Sequence, residues 1–177
     1  MPNIGIAERT YTYLIGKPLS ASLSPVGRGS KAFVAYDVDR KRLVFLKEYW
    51  RPDDDTVHSE LETYGKLNKA RVRHVATAIA GGDVEDRQVT RAQELMSFQS
   101  HRIAGAARRV HHRFVVLEIG RPLETYEDSA HLFRAVYDAF IGLFMSLSAG
   151  PCMLNLAHLL YQRIVRRTSS PVSYMGI

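Results

Sequence analysis

Apolar and polar positions alternate along the first half of the chain in runs short enough for strands, and the pattern changes to helical spacing in the second half. Residues 4–15 contain TYTYLI, a β-branched and aromatic run that predicts a strand. Gly16, Pro18 and Pro25 then break it into a loop with a short LSASLS segment. In GRGSKAFV, from Gly27 to Val34, two glycines at i and i+2 precede an alternating run. Phe33, Ala35 and Asp37 stand against Val34, Tyr36 and Val38, which predicts a strand leaving a backbone-flexible turn. A second strand over 43–48 is apolar through VFL and then carries Lys47. Such a hairpin can bring backbone N–H groups and one long ammonium stem to a single anion.

RPDDD, from Arg51 to Asp55, marks a turn and the start of a helix over about 56–69, since carboxylates suit the positive end of a helix dipole. Leu61, Tyr64 and Leu67 form its apolar stripe, flanked by Glu60 and Glu62. Residues 72–80 read as a short strand or extended segment before a Gly81-Gly82-Asp83 turn, and residues 85–99 are polar and weakly patterned. The basic stretch 101–113 reads as a solvated loop. RFVVLEI, over 113–119, is a continuous apolar run of the buried-strand type, closed by Gly120 and Pro122. A long helix is predicted from near Ser129, with Leu132, Phe133, Val136, Phe140, Leu143 and Phe144 as a core-packing stripe. Residues 139–161 contain no Asp, Glu, Lys or Arg, as a membrane span would, but Gly150 and Pro151 favour two shorter segments joined by a break.

At 177 residues and 46% hydrophobic content, the chain suffices for one packed domain or for one lobe of a larger one with its flanks. The net charge of +6 is compatible with nucleic acid, an anionic membrane or a nucleotide and does not choose among them. The basic stretch 101–113 lacks the interleaved aromatics of a stacking platform, so nucleic acid is not the expected partner. Cys152 is the only cysteine, which excludes an internal disulfide framework. With no signal-peptide pattern at the N-terminus, an intracellular location, cytoplasmic or nuclear, is expected. There is no CxxC or HExxH spacing, and no metal site is expected.

The order of glycine turn, strand, lysine strand, acidic helix, apolar strand and polar link resembles the small lobe of a protein kinase. GRGSKAFV fits GxGxxGxV except that Ala32 replaces the third glycine, and VFLK at Val44 to Lys47 stands where the VAIK motif stands. LIGKPLSASL, LKEYWRP, HSELETYGKL, AGGDV and RFVVLEIGRPLETYEDSAHLFRAVYDAFIG narrow the likeness to the fungal-type protein kinase domain of mushroom-forming fungi. The resemblance covers about residues 13–150 and implies an α+β fold. An antiparallel sheet plus one regulatory-type helix (small lobe about 10–119, hinge about 118–123) would be followed by a first large-lobe helix at about 129–149 and a divergent tail at 151–177.

By this resemblance Gly27, Gly29, Ser30 and Val34 belong to the glycine-rich cover of the ATP phosphates, and Lys47 pairs the α- and β-phosphates while a helix carboxylate holds it. Glu60 is the candidate carboxylate. Glu62 lies about 200° further around the helix and cannot serve in the same pose. Leu117 would guard the back of the adenine pocket, and the backbone of Glu118 and Ile119 would bond adenine.

The family's catalytic half has no counterpart after Gly150. Residues 151–177, PCMLNLAHLLYQRIVRRTSSPVSYMGI, contain no HxD, DxxxxN or DFG, so neither a catalytic base nor a magnesium aspartate is present in them. The sequence therefore leads us to expect a truncated kinase-like domain, the product of a shortened gene, a pseudogene or a translated intron. It would retain at most weak ATP binding, would not hold Mg2+ properly, and would not phosphorylate. A helix over about 153–167 could fold back on the first large-lobe helix. Otherwise a protein partner, a second copy or, less favoured, a membrane would cover that apolar surface, and the alternative function is then an interaction module acting through residues 129–167.

Overall fold

The computed structural model describes residues 11–22, 28–54, 56–84, 88–91, 108–120 and 125–148. Within them the chain runs β1 (Tyr13–Ile15), β2 (Ser20–Ala21), β3 (Lys31–Asp37), β4 (Arg42–Pro52), α1 (Glu60–Lys69), β5 (Ala78–Asp83), β6 (Arg109–Val116) and α2 (Ser129–Ser148). The strands make one six-stranded antiparallel sheet in the order β1-β3-β4-β6-β5, with β2 also on β3, so the fold is α+β of the kinase small-lobe kind.

Alternation along the strands sorts side chains between two faces. Ala32, Phe45, Tyr49, Phe114 and Val116 join Tyr64 and Leu67 of α1 and Val72, Val75 and Ala76 of the following connection in one core. Phe33, Ala35, Val44, Leu46 and Val115 form the other. Lys47, between Phe45 and Tyr49, therefore falls on the face that α1 covers. The β3–β4 reversal closes on Asp37, whose carboxylate accepts from the Arg40 backbone N–H at 3.0 Å, with Lys41 in the left-handed region at φ 51°.

Several sequence expectations are corrected. The first helix starts at Glu60 rather than near Thr56. Asp54 holds the N–H and hydroxyl of Thr56 at 2.8 and 2.6 Å in a turn, and Ser59 and Glu62 then form a reciprocal capping box. Gly81-Gly82-Asp83 is not a turn but the end of β5. At φ +155°, a Cβ on Gly81 would stand 2.6 Å from the Arg113 carbonyl oxygen, so the glycine lets β5 close on β6.

Residues 109–113 are not a solvated loop either, and the strand they begin ends at Val116 rather than Ile119. Val110, His111 and His112 are buried because β6 is paired on both sides, and each histidine meets a carboxylate. Nδ1 of His112 lies 2.9 Å from Asp83, and Nε2 of His111 lies 3.0 Å from Glu48. Residues 101–107, and the tail at 151–177 with its suggested helix, lie outside the described residues.

The second helix spans Ser129–Ser148 as the spacing predicts, but of the stripe expected to pack, Leu143 lies on the core and Leu132 and Val136 are half-buried while the phenylalanines are exposed. Its buried positions are Ala135, Ala139, Gly142 and Ser146. The backbone at Gly142 approaches Arg73 and His74 so closely that a Cβ would lie 3.3 Å from the His74 carbonyl oxygen and 3.4 Å from that of Arg73. Small residues win this face because the approach leaves no room for large ones, and Phe133, Tyr137, Phe140, Phe144 and Leu147 stay exposed.

Candidate functional site

The reach of Lys47 is set by register. Ala32 of β3 and Phe114 of β6 flank it across the sheet, and the small Ala32 side chain leaves the ammonium stem space on that side. Over it stands the first residue of α1. The Tyr49 hydroxyl accepts a 3.0 Å hydrogen bond from the Glu60 backbone N–H, tying the helix start to the strand two residues beyond the lysine. The Glu60 carboxylate then receives Nζ of Lys47 at 2.8 Å on Oε2 and 3.0 Å on Oε1. Glu62 points elsewhere, accepting from the Ser59 backbone N–H at 2.9 Å, as the helical angle between the two glutamates requires.

Both members of the pair are largely withdrawn from water, with 14% and 15% of the side-chain surface exposed. Burial lowers the ammonium pKa of Lys47; the Glu60 carboxylate pulls it back up without overcoming that cost, and Arg28 lowers it further. Burial also raises the hydroxyl of Tyr49, which stays neutral and free to serve as the hydrogen-bond partner of α1. The rings of Tyr49 and Phe114 lie 5.5 and 5.9 Å from Nζ and complete the apolar wall behind the charge.

The glycine turn is fixed to the same strand. Trp50 donates its backbone N–H to the Arg28 carbonyl at 2.7 Å. Gly29 takes φ +49°, and a Cβ there would sit 3.1 Å from the Trp50 indole, so both conformation and space call for glycine. The Ser30 carbonyl accepts from the Ser22 N–H at 2.9 Å, which holds the turn to the segment that pairs with β3 on its other side. Val34 is half-buried opposite Phe45 and on the Ala32 side of the sheet. Gly27 lies outside the described residues.

Beyond β6, Leu117 is exposed at 36% and donates its backbone N–H to the Thr77 carbonyl at 2.9 Å. The Glu118 carboxylate accepts from the Thr77 N–H at 2.7 Å and hydroxyl at 2.8 Å, and Ile119 packs on the core that contains Tyr64 and Phe114. The segment is thus anchored to the entry of β5 by backbone and side chain together.

Lys47 and Glu60, chosen from the sequence, meet in space. Sequence reasoning missed three contributors: Tyr49, which seats α1; Thr77, which anchors 117–118; and Arg28, whose Nη1 lies 3.4 Å from Oε1 of Glu60. The SxxE pattern at Ser59–Glu62 could have placed the helix start correctly and with it the phase of Glu60. Among the described residues no group of His, Cys, Asp or Glu could hold a metal ion. The arrangement can fix an anion through a desolvated, carboxylate-held ammonium.

A sequence profile of the family described as Fungal protein kinase matches residues 2–150. No curated protein and no solved structure gives a match.

Proposed function

The chain belongs to the fungal protein kinase family, and from that premise we propose that residues 10–150 act as its small lobe, hinge and first large-lobe helix, holding ATP without transferring its phosphate. The buried Lys47–Glu60 pair carries this reading. Lysine has three donors and Glu60 takes two of them, which leaves an N–H for the α- and β-phosphates. The backbone around Gly27, Gly29 and Ser30 would cover those phosphates, with Val34 beneath the base. Leu117 would close the back of the adenine site, and the backbone at Glu118 and Ile119 would bond its edge. Residues 151–177 contain no aspartate or glutamate, so they would neither activate a nucleophile beside ATP nor order its metal.

Thermal unfolding with and without ATP and Mg2+ tests the reading. At a hundredfold excess over Kd, ligand binding adds about 2.7 kcal/mol, or about 5–10 °C for a chain of this size. The parent should show such a rise and Lys47→Ala should not. A parent indifferent to ATP would sink the proposal.

A second reading is favoured by α2, whose bulky face, Phe133, Tyr137, Phe140, Phe144 and Leu147, is turned outward. We propose that this face serves for association with a protein or a second copy. By length and composition α2 could also cross a bilayer. Sedimentation as a strict monomer would end the self-association form of this reading, and resistance to carbonate extraction would transfer the face to a membrane.

A further inference from the structure

We infer that Arg28 is an anion-responsive latch, closing the glycine turn onto Glu60 in the empty protein and moving to the polyphosphate tail of a bound nucleoside triphosphate; the second half of this inference rests on the nucleotide reading above. The backbone of Arg28 is not free to wander, since its carbonyl is held at 2.7 Å by Trp50 and the next residue is fixed in the left-handed region over the Trp50 indole. From this pinned position the guanidinium reaches Oε1 of Glu60 at 3.4 Å, the oxygen that Lys47 shares at 3.0 Å. Two cations thus share this carboxylate.

The two contacts differ in how firmly they hold. Lys47 is nearly buried against Glu60 at 2.8 Å, whereas Arg28 keeps 61% of its side chain in solvent and its contact is long. Exposed pairs of the second kind hold weakly, so the Arg28 contact can be exchanged while the Lys47 contact persists. With Lys47 and Arg28 positive and Glu60 negative, the cluster has a surplus cation at the glycine turn. A triphosphate carries more negative charge than the single carboxylate and, as an array of oxygens, suits the guanidinium fork. The N-terminal end of α1 adds the same sign of field nearby. Arg28 would then report occupancy through its side chain alone: when the guanidinium swings from Glu60 to phosphate, its backbone stays where Trp50 holds it, and of these two cations only Lys47 still engages that carboxylate.

Calorimetric titration with ATP and with adenosine, using the parent, Arg28→Gln and Arg28→Lys, tests the loaded half. Arg28→Gln should weaken ATP about tenfold and leave adenosine unchanged, and Arg28→Lys should recover most of the loss. Equal weakening of both ligands, or no weakening of ATP, would overturn the assignment. The empty half is read without nucleotide, from the pH midpoint for acylation of Lys47. Removing Arg28 takes a like charge from the lysine, so the midpoint should rise in Arg28→Gln, and an unmoved midpoint would show that no latch exists. If the parent binds no ATP while this midpoint rises, the nucleotide reading and the loaded half fall, and the contact in the empty protein stands.

Discussion

Lys47 and Arg51 lie four residues apart on the same face of β4, and each meets one carboxylate from a neighbouring element, yet the two pairs are built for opposite ends. Arg51 clasps Asp83 through two parallel bonds, Nε to Oδ1 at 2.9 Å and Nη2 to Oδ2 at 2.8 Å, and His112 adds a third contact to that carboxylate at 2.9 Å. Asp83 is pulled down to about 2, chiefly by the Arg51 hydrogen bonds. The remaining arm of the guanidinium, Nη1, donates to the Pro52 carbonyl at 3.0 Å, so all three of its nitrogens are engaged. At Lys47 burial outweighs the partner, and the ammonium is held less protonated than an ordinary lysine. A satisfied pair stabilises the fold; a desolvated cation with a donor to spare is the arrangement expected where a ligand completes the site.

The largest consequence of this contrast is in stability. Asp83→Ala would leave Arg51 and the buried His112 without their carboxylate and should cost about 3 kcal/mol, measured as a fall in the denaturant midpoint. Next comes acid. Because the folded Asp83 pKa is depressed, its contribution is present above the unfolded value of about 3.9 and is lost as pH falls toward about 2. Discounted for solvent screening at its exposed edge, the loss should be about 1 kcal/mol, and Asp83→Asn should flatten that part of the pH–stability curve.

The lysine pair should behave otherwise. Lys47→Met alone leaves the buried Glu60 carboxylate with only the long Arg28 contact and should cost about 3 kcal/mol, but the double variant Lys47→Met/Glu60→Gln removes both charges and should stay within about 1 kcal/mol of the parent; a loss in the double variant as large as that of Asp83→Ala would erase the distinction between the two sites. The smallest effect lies at alkaline pH. Between the lowered folded pKa of Lys47 and its unfolded value of about 10.4, the unfolded chain binds more protons than the folded one. Stability should therefore rise with pH through that window, and the rise should be missing in Lys47→Met.

The two pairs are also unequally legible. Lys47 is visible because it ends an apolar run after a glycine turn, and Glu60 because only one of two neighbouring glutamates can share a face with a given strand. Asp83 is hidden inside Gly81-Gly82-Asp83, which by composition looks like a turn. Its role depends on Gly81 admitting β5 against β6, a tertiary approach that propensity does not encode. The first half of the partner strand, residues 109–112, escapes notice for the same reason. Arg109 to His112 look too polar for an interior strand until the carboxylates of Glu48 and Asp83 arrive from β4 and β5. In α2 the helical period is plain, but the choice of face is not, because close packing at Gly142 selects small side chains over large ones.

Equilibrium titration of ATP against the parent, the double variant Lys47→Met/Glu60→Gln and Arg51→Met tests the central claim most directly. The account predicts that the double variant loses ATP while keeping its stability, and that Arg51→Met loses stability while keeping its Kd. A parent that binds no ATP, or two variants whose affinities fall together with their stabilities, would contradict it.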